Sequence, residues 1–362
     1  MHSERSSTVV HDAATDDRPD GRTAAARQTV AARVDRLRVL SGALEQLPVT
    51  VRFWDDSAIV ARDPDAPVVS IRDERAIAHF LRAPNELGLG RAWVSGALDA
   101  DGDLERILDL RHRVRDLRLG RFGRARLAGA ALRVAGPRAL RRPPIPECEA
   151  EPAGRLHSLR RDRASVRHHY DVSNRFYELL LGPSLVYSCA YFASANDSLE
   201  TAQERKLELI CRKLRLRPGE RLLDIGCGWG SLVIHAAAHH GVQALGVTLS
   251  EPQAELARRR IEAAGLVDRV EVRVLDYRQV EEEPFDKIAS VGMYEHVGRS
   301  QFATYVAAVR RLLRPGGLFL NHGITRLNAP PRRGPTFIGR YVFPDGELHR
   351  STTSSARSRP AG

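Results

Sequence analysis

Apolar and polar positions along the chain fall into three regimes. Residues 1–36 are small, polar and aperiodic, and read as a disordered tail. From Leu37 the pattern becomes structured: Val49-Thr50-Val51-Arg52-Phe53-Trp54 and Val68-Val69-Ser70-Ile71 read as strands, Asp55-Asp56-Ser57 as a turn, and Glu74–Leu81 as a helix. Together, 37–110 predict a small α+β domain for packing or for presenting lipid. Beyond Val166 an aromatic-rich helix is expected to run on to Leu181, and Thr201–Leu214 reads as an amphipathic helix. Leu222, Leu223 and Ile225 then suit a buried parallel strand. Further strands at Ala244–Thr248, Val270–Leu275, Phe285–Val291 and Gly317–His322 alternate with helices at Glu251–Ala264 and Ser300–Leu313, with a turn at Arg314-Pro315-Gly316. Such alternation predicts an α/β fold with a parallel sheet covered on both faces, and ligands of such sheets bind at the carboxyl ends of the strands.

Composition changes this picture in one place. Of 362 residues, 56 are Lys or Arg and 45 are Asp or Glu, a net charge of +11. Arg111–Arg142 holds eleven arginines against the single acid Asp116, a net of +10, so nearly all the excess sits there. Ile107, Leu110, Val114 and Leu117 recur at helical spacing with arginines in the other sectors. That is the pattern of an amphipathic helix for an anionic lipid surface; a solvated helix face is an equal alternative, and nucleic acid is disfavoured because only Phe122 is there to stack. Pro143-Pro144-Ile145-Pro146 marks a linker, so 111–152 is taken as basic helices plus linker, 153–349 as the catalytic domain and 350–362 as a low-complexity tail. Cys148, Cys189, Cys211 and Cys227 lack the spacing of a disulfide framework or a metal site, so a reducing cytosol and no metal are expected. No apolar run approaches the ~20 residues of a membrane span, and no signal peptide is legible.

The chemistry centres on Arg221–Gly230, RLLDIGCGWG: a strand, an acid, and glycines at 226, 228 and 230 before a helix. Glycines are needed where a β-carbon would hold the backbone off a ligand. The spacing is G-x-G-x-G, without the third glycine of the dinucleotide fingerprint and without a following Gly-Lys-Ser/Thr, which disfavours hydride enzymes and P-loop ATPases. An acid two residues before this turn resembles motif I of class I S-adenosylmethionine-dependent methyltransferases with a Rossmann-like sheet.

Five motifs in order narrow the resemblance: Tyr187-Ser188-Cys189-Ala190-Tyr191-Phe192, LLDIGCGWG at 222–230, Gly246–Gln253, Gly292-Met293-Tyr294-Glu295-His296-Val297-Gly298 and Tyr341-Val342-Phe343-Pro344-Asp345-Gly346. Together they resemble the cyclopropane-fatty-acyl-phospholipid synthases and mycolic acid cyclopropane synthases over about residues 40 to 349. The resemblance implies S-adenosylmethionine contacts at Tyr187, Ser188, Leu222, Leu223, Asp224, Ile225, Gly226, Cys227, Gly228, Trp229, Gly230, Thr248, Leu249, Ser250, Gln253, Asp276 and Tyr277. It implies a catalytic set of Cys189, Glu295, His322 and Ile324 around a bound bicarbonate that serves as base.

The implied reaction transfers a methyl(ene) group to the cis double bond of an unsaturated phospholipid acyl chain, in a pocket that excludes water. An enzyme peripheral to the inner face of the cytoplasmic membrane is then expected, with a homodimer left open. In the relatives a further helix and two more strands follow Glu347-Leu348-His349 and supply a tyrosine to the bicarbonate site. Here Arg350–Gly362 reads as a truncated or out-of-frame end, which predicts five strands of seven, an open edge at the fifth and impaired activity. The alternatives are an inactive remnant that binds lipid or cofactor, or a C-methyltransferase that leaves a methyl branch on the acyl group.

Overall fold

Alternation builds the first sheet. In β1 (Thr50–Phe53) Val51 and Phe53 are buried while Arg52 is exposed, and with Val49 and Ile59 they form a small core. The computed structural model describes residues 48–109, 129, 132–326 and 334–350. The chain divides between Pro146 and Glu147 into two units. In the first unit β1, β2 (Ala58–Ile59), β3 (Val68–Ile71) and β4 (Leu98–Asp101) lie in the order β2-β1-β3-β4, with β1 and β3 parallel and the other pairs antiparallel.

Two helices, α1 (Glu74–Arg82) and α2 (Glu86–Val94), fill the β3–β4 connection. Asp73 caps the first by accepting from the Arg75 amide, and Asn85 caps the second by accepting from the Leu87 amide. Of the expected basic helices, 110–128 and 130–131 lie outside the described residues. Gly136–Leu140 forms a 3-10 turn whose Ala139 is buried against Ile77 of α1.

The second unit is a five-stranded parallel sheet in the order β7-β6-β5-β8-β9: β5 (Arg221–Ile225), β6 (Gln243–Thr248), β7 (Val270–Val274), β8 (Phe285–Val291) and β9 (Leu313–His322). Successive side chains point to opposite faces, and both faces are covered. Leu222, Ala244 and Val272 pack with α5 (Leu199–Leu214), α6 (Ser231–His240) and α7 (Glu251–Ala263). Leu223, Leu245 and Ile288 pack with Tyr305, Val309 and Leu312 of α9 (Phe302–Leu312). β9 is an edge strand among the described residues, with Leu318, Phe319 and Leu320 only partly buried. No described helix is long and apolar enough to cross a membrane.

Two expectations need correction. The single helix expected to run on to Leu181 is two, α3 (Leu159–Tyr170) and α4 (Asn174–Leu181), broken at Asp171-Val172-Ser173. Ser173 Oγ accepts from the Phe176 amide at 3.1 Å and Asp171 accepts from Ser250 Oγ at 2.8 Å, so side-chain capping replaces helix continuation. The turn expected at Arg314-Pro315-Gly316 lies inside β9. Leu313 pairs with Phe285 and Leu318 with Lys287, so 314–317 bulge out of the ladder, with Gly316 at φ +77°.

Gly246 of β6 sits where a β-carbon would stand 2.7 Å from Cys227 Sγ and 2.8 Å from Cys227 Cβ. Gly246→Ala is expected to lower stability by about 1–3 kcal/mol through overpacking. Urea unfolding checks it; an unchanged midpoint would mean that Cys227 moves aside freely.

Candidate active site

β5 is the middle strand, so its carboxyl end opens onto the centre of the rim. The chain must leave Ile225 and enter α6 at Ser231 in five residues, and Gly226, Gly228 and Gly230 do so at φ +83°, +55° and +80°. The Gly226 and Cys227 amides both donate to the Val247 carbonyl, at 2.9 and 3.0 Å, which ties the turn to β6. At Gly228 nothing lies within 4 Å of where a β-carbon would stand, because the backbone there faces the cleft. Behind the turn Trp229 is buried, its Nε1 donating to Asn174 Oδ1 at 2.8 Å.

The cleft over this rim has a volume of about 1150 Å³, including its open mouth. Asp224, Ile225, Gly226, Gly228, Trp229, Tyr187, Ser188, Thr248, Leu249, Gln253, Asp276 and Tyr277 of the sequence-derived set line it. Five others do not. Leu222, Leu223 and Cys227 are core residues, Gly230 lies against Ala257, and fully buried Ser250 donates to Asp171. Thr248 Oγ1 donates to Gln253 Oε1 at 2.7 Å, which fixes both at the end of β6. Asp276 is gripped by Arg278 through Nε at 2.7 Å and Nη2 at 2.6 Å, and Arg278 also reaches Asp162 at 2.8 Å. Tyr170, Tyr187 and Trp229 form an aromatic wall whose Tyr187 is itself exposed on one side, and Tyr191 and Phe192 are exposed beyond it.

At the floor of the cleft lie two opposite charges. Asp224 is 3% exposed with Oδ1 unpartnered, and burial pushes its carboxyl up to about 7 although the Lys206 ammonium opposes the shift. Burial likewise lowers Lys206 to about 8, and its Nζ donates to Ser188 Oγ.

The four residues of the implied catalytic set fall into two pairs at the ends of β8 and β9. Cys189 Sγ lies 3.9 Å from His322 Nε2. The Ile324 amide donates to Glu295 Oε1 from the loop after β9. Glu295, on the short helix α8 (Tyr294–Val297), is 3% exposed with Oε2 unpartnered. Burial, then Lys206, lowers the His322 pKa against the pull of Glu295, so the pairs and Lys206 share one electrostatic neighbourhood. Next to Glu295, burial pushes His296 down to about 3 and keeps it neutral. The Tyr341–Gly346 motif lies behind this group. Asp345 accepts from Arg161 twice at 2.7 Å and from Ser165 at 2.9 Å, and the Glu347 amide donates to the Glu295 carbonyl at 2.9 Å.

Lys206, Tyr170, Asn174 and Arg278 are site residues that the sequence motifs do not single out. Lys206 has a signal: with Ala202, Gln203 and Ile210 it falls on the buried stripe of α5, a charge where an apolar residue belongs. Asn174 has none, because its partner Trp229 is 55 residues away.

The family model described as mycolic acid cyclopropane synthetase matches residues 157–362. The chain is 43% identical over 319 residues to a "probable fatty acid methyltransferase" of Mycobacterium tuberculosis, covering 84% of this chain and 72% of that protein. It is 42% identical over 209 residues to the cyclopropane-fatty-acyl-phospholipid synthase of Escherichia coli, covering 57% and 52% respectively. Among solved structures it resembles the cyclopropane synthase MmaA2 of Mycobacterium tuberculosis with a TM-score of 0.51 and 35% identity, over 54% of this chain and 73% of that one. The mycolic acid cyclopropane synthase CmaA1 complexed with SAH and CTAB gives a TM-score of 0.50 and 34% identity, over 54% and 74%. With the family model matching more than half of the chain, the chain belongs to the mycolic acid cyclopropane synthetase family of S-adenosylmethionine-dependent methyltransferases.

Proposed function

We propose that this protein converts the cis double bond of an unsaturated phospholipid acyl group into a cyclopropane ring, with S-adenosylmethionine as the one-carbon donor. The observation that carries this is the placement of two pairs, Cys189 with His322 and the buried Glu295 with the Ile324 amide, beside the glycine-turn cleft. When bound, the donor supplies an electrophilic sulfonium methyl. Asp224, with an oxygen unpartnered, is the group of the cleft floor suited to a cation, and the open backbone at Gly228 permits close approach. The wall of Tyr170, Tyr187 and Trp229 keeps water away from charge that develops on an alkene carbon.

After methyl transfer the added methyl must lose a proton before the ring can close. His322, held neutral by burial, and Glu295, with Oε2 unpartnered, are the protein's own acceptors in that neighbourhood. A bound bicarbonate would supply a further base. The residues suit such an anion, since the Cys189 thiol, His322 and the Lys206 ammonium are donors that offset the Glu295 carboxylate. The net of +10 in Arg111–Arg142 supports an anionic bilayer as the surface where the lipid is met. A C-methyltransferase that leaves a methyl branch is the second reading, favoured by the 43% identity to a protein named for fatty acid methylation.

The test is incubation with labelled S-adenosylmethionine and vesicles of unsaturated phospholipid, followed by gas chromatography–mass spectrometry of the acyl groups. A ring-containing product one CH2 heavier is expected; a methyl-branched product would establish the second reading, and no lipid product would sink both. Glu295→Gln is expected to lower turnover by about 10²-fold or more with donor affinity retained. An unimpaired Glu295→Gln would remove Glu295 from the reaction. Gly228→Val should abolish donor binding, because its side chain would project into the cleft from a left-handed backbone; calorimetry reporting equal affinity would refute this.

A further inference from the structure

On the sheet face away from α9, α5 and α6 bring together a second group of reactive side chains that plays no part in the chemistry above. Cys211 of α5 and His235 and His240 of α6 have ligand atoms that all lie within 4.8 Å of one another. Glu208, one helical turn before Cys211, places Oε2 3.3 Å from His235 Nε2 and 2.9 Å from His240 Nε2. Sulfur and two imidazole nitrogens therefore converge from two helices, with a carboxylate oxygen against both imidazoles. We propose that Glu208, Cys211, His235 and His240 form a structural zinc site that clamps α5 to α6.

The donor set and the geometry both fit. Zinc in structural sites takes four protein ligands in a tetrahedron at about 2.0–2.3 Å, which puts ligand atoms about 3.3–3.8 Å apart. The sulfur and the two imidazole nitrogens are within about 1 Å of that spacing, and rotation of the Glu208 side chain, whose carboxylate already lies against both imidazoles, would bring it to the fourth position. Charge balances too, since a Cys211 thiolate and the Glu208 carboxylate neutralise a divalent ion while both histidines bind in the neutral form. Binding forms the zinc–sulfur bond as the Cys211 thiol proton leaves to solvent, and the His235 and His240 ring protons move to the nitrogens that do not face the ion. Hydrogen bonds among His235, Glu208 and His240 hold part of this geometry ready and do not involve the Cys211 thiol, which packs in the core beside them. Spacing along the chain hides the site, because E-x-x-C and H-x-x-x-x-H lie on separate helices.

Position suggests the use. α6 begins at the glycine turn and α5 carries Lys206 two residues before Glu208, so a clamp here would fix two parts of the cleft from behind. With four protein ligands the ion has no open position, which marks a role in stability and not in chemistry.

The test uses the full-length protein, stripped with a chelator, dialysed and titrated with zinc in competition with a chromophoric chelator, and with cobalt(II) as a spectroscopic stand-in. One equivalent of zinc is expected to bind with a dissociation constant below about 1 µM. Cobalt should give the intense visible bands of a tetrahedral site and a thiolate charge-transfer band, and zinc should raise the unfolding temperature. Cys211→Ser should lose the thiolate band, while Cys148→Ser, which removes an exposed cysteine elsewhere, should keep it. His240→Ala, at a partly exposed position, is a second variant should Cys211→Ser fail to fold, and should weaken zinc at least about tenfold. A thiolate band that survives in Cys211→Ser, zinc affinity unchanged in His240→Ala, or no zinc binding below about 100 µM to the wild type would each overturn the proposal.

Discussion

Asp224 is a carboxylate at the end of the central strand, in a place where water cannot reach one of its oxygens and no side chain among the described residues replaces it. Leaving a buried acceptor unpartnered costs about 1–3 kcal/mol, more for a charged group. Lys206 eases the strain only by being buried itself, with its own pKa driven down. The folded protein therefore holds a proton on Asp224 up to about 7, whereas the unfolded form gives it up in the ordinary carboxylate range. Stability that Asp224 contributes in acid is thus lost as the pH rises towards and through about 7. A fold keeps such an arrangement where a ligand completes it, and a cationic ligand is what an unpartnered carboxylate lacks.

The rest of the site depends on that floor. The three glycines let the backbone turn directly above Asp224, the two amide bonds to Val247 keep the turn in register with β6, and Asn174 and Arg260 secure Trp229 at its far side. Lys206 reaches from the same floor to Ser188, beside Cys189, and its charge is felt by His322. One buried ammonium thus adjoins both Asp224 and the Cys189–His322 pair.

What can be read from the sequence is local. Strands with two-residue alternation, the glycine turn and the rim positions follow from neighbours a few residues apart, and the parallel sheet follows from their order. The sequence-derived site divides along the same line. Residues of the turn that face the cleft are placed by motif, but Leu222, Leu223 and Cys227, in the same motif, are there to pack the sheet. The break between α3 and α4 is not legible because it depends on Asp171 bonding to Ser250, 79 residues later. The bulge at 314–317 is a matter of pairing with β8, which a single strand does not announce. Lys206 is visible only as an anomaly in an apolar stripe, and the cluster around Cys211 is not visible at all.

Proton release measured calorimetrically in buffers of different ionisation enthalpy tests most directly whether Asp224 awaits a cationic donor. Near pH 7, binding of S-adenosylmethionine should release a substantial fraction of a proton, and affinity should fall by up to about tenfold per pH unit below that. Asp224→Asn should lose both effects. Binding to the wild type with no proton release and no pH dependence would contradict the assignment of Asp224, and with it the electrostatic basis of the cleft.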